Sequence, residues 1–259
     1  MTAALRAEWA KLRTVASTGW LMLGAAVVTV AVSAGADAAG GCTSSAGCHP
    51  DVTRLSLSGA AAGQAVVAIL GVLAVSAEYG TGMIRVTLAA VPRRTLVLAA
   101  KAAVVAGLAL AAGVVAVLGC LLAGRLILPG HGLIPARGYP ALTLAGGPAP
   151  RAAAGTVLYL VLIALLSLGV AAMVRDSAAA IGVVLGLLYV FPILSQVAGS
   201  PGWRRHLEQF GPMSAGLEIQ ASTGLRHLPV SPWGGLGVLA AWSAAALLGG
   251  GLMLRLRDA

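Results

Sequence analysis

The residues able to do chemistry gather in two places. Cys42, Cys48, His49 and Asp51 crowd one short polar stretch. Two thiols so close in sequence can close a small disulfide loop in an oxidising compartment, with two unpaired thiols as the alternative. His49 and Asp51 add little towards a metal site, which needs four well-placed ligands, and no metal is expected.

The second place is the run Glu78-Tyr79-Gly80-Thr81-Gly82-Met83-Ile84-Arg85, between two long apolar stretches. Glu78 and Arg85 stand seven residues apart, near one face of a helix if the run is helical. Pro92 then interrupts any helix, and Arg93, Arg94 and Lys101 follow. A water-facing charged connector has little to do inside a bilayer, so it reads as a contact for a soluble partner. Other chemistry is poorly supplied. Lys11 and Lys101 are the only lysines, and neither lies in a G-x-x-x-x-G-K-[ST] phosphate loop. The four histidines all fall outside the apolar stretches, and Cys120 is the only cysteine within one, so no convergent catalytic set is evident. The chain is not expected to be an enzyme by itself.

Composition sets the elements that must position these groups. Of 259 residues 59% are hydrophobic and 10% charged, with a mean hydropathy of +0.93. That balance belongs in lipid rather than in a soluble domain. Crossing the hydrocarbon takes roughly 20 apolar residues, and six windows qualify: 19–36, 59–77, 102–124, 152–174, 178–197 and 234–254. None contains Asp, Glu, Lys, Arg or His. Because lipid offers backbone groups no partners, the spans read as helices, and the expected fold is an all-α polytopic bundle forming one transmembrane domain over 1–259. Within it, 1–18 is a surface helix, 78–95 a loop on one side and 198–232 an outer loop before the last span.

Ten of the 17 basic residues, among them Arg6, Lys11, Arg13, Arg85, Arg93 and Arg94, fall on the side of the two termini. Basic residues near span ends stay in the cytoplasm, so both termini are placed inside, in the plasma membrane. The net charge of +9 is spread over short loops on both faces, and no nucleic-acid partner is expected. Ala34-Gly35-Ala36 resembles a leader-cleavage site, but the apolar run before it is span-length and is expected to be retained. Ahead of that run, Leu5, Trp9 and Leu12 recur at i, i+4 and i+7. They form the apolar stripe of an amphipathic helix able to lie among lipid headgroups, anchored by Trp9.

The run Glu78 to Arg85, followed by Leu88, Val91-Pro92-Arg93-Arg94 and Lys101, resembles the cytoplasmic loop of type-2 ABC exporter permeases. The Arg-rich, Lys-poor wording is similar to actinobacterial members. The resemblance extends to an interfacial first helix at Leu5 to Leu12, six spans with both termini inside, and a Pro-containing re-entrant turn at Phe210-Gly211-Pro212-Met213-Ser214-Ala215. It implies a permease subunit driven by a separate ABC-type ATPase, which binds ATP and Mg. Glu78, Tyr79, Gly82, Arg85 and Pro92 would couple the two. It also implies a second permease copy or homologue, with Gly182 and Gly186 of the fifth span as the contact to the partner's first span. Gly59/Gly63 has the same small-xxx-small spacing. Spans lined by Ala, Val, Leu, Gly and a few polar residues such as Gln64 and Gln196 suit an apolar or amphipathic cargo: a drug, lipid or peptide. An ATP-independent secondary transporter or a membrane-anchoring scaffold is the alternative.

Overall fold

A computed structural model describes residues 2–14, 16–40, 50–83, 94–133, 139 and 142–256, with the side chains of 2–4 and 12–14 outside the description. Cys42, Cys48, Arg85, Pro92 and the Leu12 side chain therefore lie outside the described residues. Those described form helices and no strand. In chain order these are α1 (Thr2–Thr14), α2 (Ala16–Ala39), α3 (Val52–Ser56), α4 (Ala60–Gly80), α5 (Arg94–Ile127), α6 (Ala149–Val174), α7 (Ser177–Val197), α8 (Pro201–Phe210), α9 (Pro212–Leu217) and α10 (Pro232–Leu256). Six helical segments are long and apolar enough to cross a membrane, α3 and α4 together making one of them. The chain is a multi-pass membrane protein.

α6 is the hub, packed against α4, α5, α7 and α10, while α2 lies against α4 and α5. Burial follows that order: 61% of the apolar window of α6 is buried, against 22% for α2 and 17% for α7. The peripheral helices keep apolar side chains facing outward, including Leu23 and Val27 on α2 and Val183 and Val190 on α7. α5, with 34 residues, is about 51 Å long at 1.5 Å per residue, longer than the hydrocarbon is thick. Its surplus at the end where it begins gives α1 a surface to lie on.

Small residues let the helices close on one another. A Cβ on Gly63 would sit 1.8 Å from Thr29 Oγ1, and one on Gly59 would sit 2.0 Å from the Thr29 carbonyl. The Gly59/Gly63 pair is thus spent inside one copy, joining α4 to α2. Nothing lies within 4 Å of a Cβ placed on Gly182 or Gly186, so that pair faces outward from α7.

At the far end from the termini the chain folds back after α8. Gly211 and Pro212 turn it into α9 and a 3₁₀ turn at Glu218–Gln220, which drives Ile219 into full burial over Gly155. Asp51 fastens this segment. It caps α3 by accepting from the Arg54 amide at 3.1 Å and takes further bonds from the amide and hydroxyl of Ser222 and from the Thr223 amide. Burial alone would raise the Asp51 carboxyl, but these donors outweigh it and hold the group below the usual carboxylate range.

The helices run past the apolar windows. Asp37 belongs to α2, Glu78 to α4 and Lys101 to α5. The charge-free windows stop where charges start, whereas the helices continue wherever a charge finds a partner. The six windows themselves hold no ionisable group; the buried charges lie on the same helices just beyond them.

Candidate functional site

At the end that holds both termini, four charged side chains meet. α1 supplies Glu8 and Lys11, three residues apart on one face, with Lys11 Nζ 3.2 Å from Glu8 Oε1. α4 supplies Glu78 from its last turn, and α5 supplies Lys101 from its second turn. Lys101 Nζ donates to Glu8 Oε2 and Glu78 Oε1, both at 2.7 Å, and to the Ala74 carbonyl at 3.3 Å. Those three bonds use all the hydrogens of an ammonium. Lys11 Nζ reaches Glu78 Oε1 at 2.9 Å. The exposures are 4% for the Lys101 side chain, 5% for Glu8 and 10% for Glu78, against 31% for Lys11. Desolvation pulls the Lys11 ammonium down, but its bond to Glu78 and the charges of Glu78 and Glu8 prevail, so its pKa is raised.

Two carboxylates and two ammoniums cancel in charge, which makes such depth tolerable. One group is left over: Glu78 Oε2 is buried and has no hydrogen-bond partner among the described residues. Beside the network lies a cavity of about 430 Å³ bounded by the start of α2 (Thr18, Leu21), by α4 (Leu70, Leu73, Ala77) and by α5 (Leu108). Glu8, Lys11, Glu78 and Lys101 form its charged end.

Neighbouring groups tie the other helix ends together. Arg94 donates to the Leu254 carbonyl at 2.6 Å and Arg175 to the Met253 carbonyl at 3.3 Å, capping the last turn of α10. The Arg175 guanidinium also lies 5.3 Å over the Tyr79 ring. Gly82 takes a left-handed φ of 71° in the turn that ends α4, a conformation glycine reaches without cost.

The structure thus brings Glu78 and Tyr79 inward. Of the expected water-facing run from Glu78 to Arg85, Glu78, Tyr79 and Gly80 form the last turn of α4, which closes at Thr81 and Gly82, with Glu78 buried rather than water-facing; Ile84 and Arg85 lie outside the described residues. The amphipathic reading of α1 is altered as well. Leu5 packs on the cluster of Leu70, Val104 and Leu108, Trp9 is 49% exposed, and the deepest side chain described on the helix is Glu8. Glu8, Lys11 and Lys101 were absent from the expected site, although acids and bases at adjoining span ends are a legible sign of pairing.

Another buried acid lies at the far end. Asp37 is fully buried; its Oδ1 accepts from Ser56 Oγ at 3.0 Å and its Oδ2 has no partner among the described residues. Cys120 donates to Ser33 nearby at 3.3 Å. Gln64 accepts from the Tyr159 hydroxyl within the bundle, whereas Gln196 is exposed. Among the described residues no group of three His, Cys, Asp or Glu is placed to hold a metal. No family model matches the chain, and no curated protein matches it.

Proposed function

We propose that the chain is the permease subunit of an ATP-driven exporter of the type-2 ABC kind, moving an apolar or amphipathic cargo outward. A separate ATPase carries ATP and Mg. A second permease copy or homologue completes the path, and both termini face the cytoplasm. The observation that carries this reading is the network of Glu8, Lys11, Glu78 and Lys101. It fastens α1 to the ends of α4 and α5 on either side of the 84–93 connector. A load applied to α1 or the connector by a closing ATPase therefore reaches three helices together.

The test is co-purification in mild detergent with the products of neighbouring genes, with mass spectrometry for a soluble ATPase near equal stoichiometry. The variant Arg85→Ala, at a residue outside those described, is the probe. It should leave insertion intact and reduce ATPase stimulation by cargo; full stimulation in that variant rejects the coupling role. Glu78→Ala is the poorer probe because it strips a buried ion cluster.

One observation favours a second reading. Ionisable groups inside spans serve proton and ion relays, and Asp37 is such a group. A secondary transporter would lose activity in Asp37→Asn and on collapse of the proton gradient, and would be indifferent to ATP depletion.

A further inference from the structure

We infer that the cavity beside the ion network binds a single-chain amphiphile whose head group donates hydrogen bonds, an alkylammonium above all. Its volume of about 430 Å³ lies in the range of small-molecule sites, which pair apolar walls with a few convergent polar groups. Leu21, Leu70, Leu73 and Leu108 furnish an apolar length suited to a hydrocarbon tail. The charged end then selects the head.

Among the described groups the cations at the charged end are already paired: the three Lys101 hydrogens are engaged with Glu8, Glu78 and the Ala74 carbonyl, and Lys11 bonds both Glu8 and Glu78. Glu78 Oε2, on a side chain nine-tenths buried, lacks a donor. A buried acceptor left unmet is costly, and bonds to a charged acceptor are the stronger kind. A donor that reaches Oε2 leaves Oε1 with Lys101 and Lys11, so the ion network stays intact around the bound head group. A cationic donor satisfies it; an anionic head would face the Glu8 and Glu78 carboxylates with the Lys101 hydrogens committed elsewhere. Ala77 and Thr81, both exposed, mark the mouth at the end holding the termini. The site lies within one copy and needs neither ATP nor an ATPase, so it stands or falls apart from the exporter reading.

The experiment places the full chain in phosphatidylcholine nanodiscs and photolabels it with dodecylamine bearing a chain-end diazirine, with the matching dodecyl sulfate as control. The amine should label Leu21, Leu70 and Leu108 saturably, while the sulfate labels outward side chains such as Leu118 and Leu122. Glu78→Gln should weaken saturable labelling about tenfold, the worth of one charge-assisted bond. Ala77→Phe, at an exposed position whose side chain makes none of the ion-pair contacts, should narrow the mouth and weaken it at least about fivefold. Competition by added lysophosphatidylethanolamine, a single-chain lipid amine, would identify a membrane lipid as the source of the ammonium, and its absence a free amine. Equal labelling by both heads, or saturable labelling unchanged by Ala77→Phe, overturns the assignment.

Discussion

The Lys101 ammonium joins three helices where water is scarce. Its removal leaves Glu8 and Glu78 facing one another with only the half-exposed Lys11 between them. We predict that Lys101→Met costs about 3–5 kcal/mol, the range for breaking a buried pair, seen as a large fall in thermal stability in detergent. Adding Glu8→Gln should recover part of the loss, and strictly additive effects would show that the two do not interact. Asp51 makes a different prediction. Its folded pKa lies below its unfolded value, near 3.9. Its contribution is therefore complete above about pH 4 and lost as pH falls through the folded value. The stability gap between the wild type and Asp51→Asn should stay level from neutral pH down to about 4 and close below it. At this scale the sequence was partly legible. Glu78 is conspicuous, but its partners lie 67 and 23 residues away, and no local spacing announces them. Arg85 stood nearer in sequence and drew the pairing. Lys11 and Lys101 read as topogenic charges because a basic residue beside a span already has that explanation.

Elements were easier to read than residues. Apolar runs of span length dictate helices whatever their neighbours, so number, order and approximate bounds follow from composition. Which helix is central does not. α6 and α7 are alike in apolar content, and only the packing distinguishes a hub from a peripheral helix. The same holds for the two glycine pairs, identical in spacing and opposite in use. Gly63→Ala should destabilise the fold by about 1–3 kcal/mol, since its Cβ must displace Thr29. Gly182→Ala and Gly186→Ala meet nothing and should leave a single copy as stable or slightly more so, alanine being the better helix former. Any loss of dimer in those two variants, measured by light scattering, would then report the contact between copies rather than the fold.

Across the whole molecule, charge and topology agree on a common side for the termini. Glu8 near the start and Leu254 near the finish both bond to the first turns of α5. With basic residues favouring that side, a fluorescent protein fused at either end should fold and emit, while alkaline phosphatase fused at either end should stay silent. The reverse pattern would invert the molecule and put the 84–93 connector out of reach of the proposed ATPase.

The ion network also bears on how the chain is made. Glu8 leaves the ribosome 93 residues before Lys101, with Glu78 in between, so the early chain carries two acids at one membrane face. Lys11 can hold α1 to the end of α4 through Glu78, but the buried half of the clasp waits for α5, and α5 cannot sink past Lys101 once that half has closed. The Lys101 links thereby set when the amino-terminal helix is locked in place and the depth at which the third span stops.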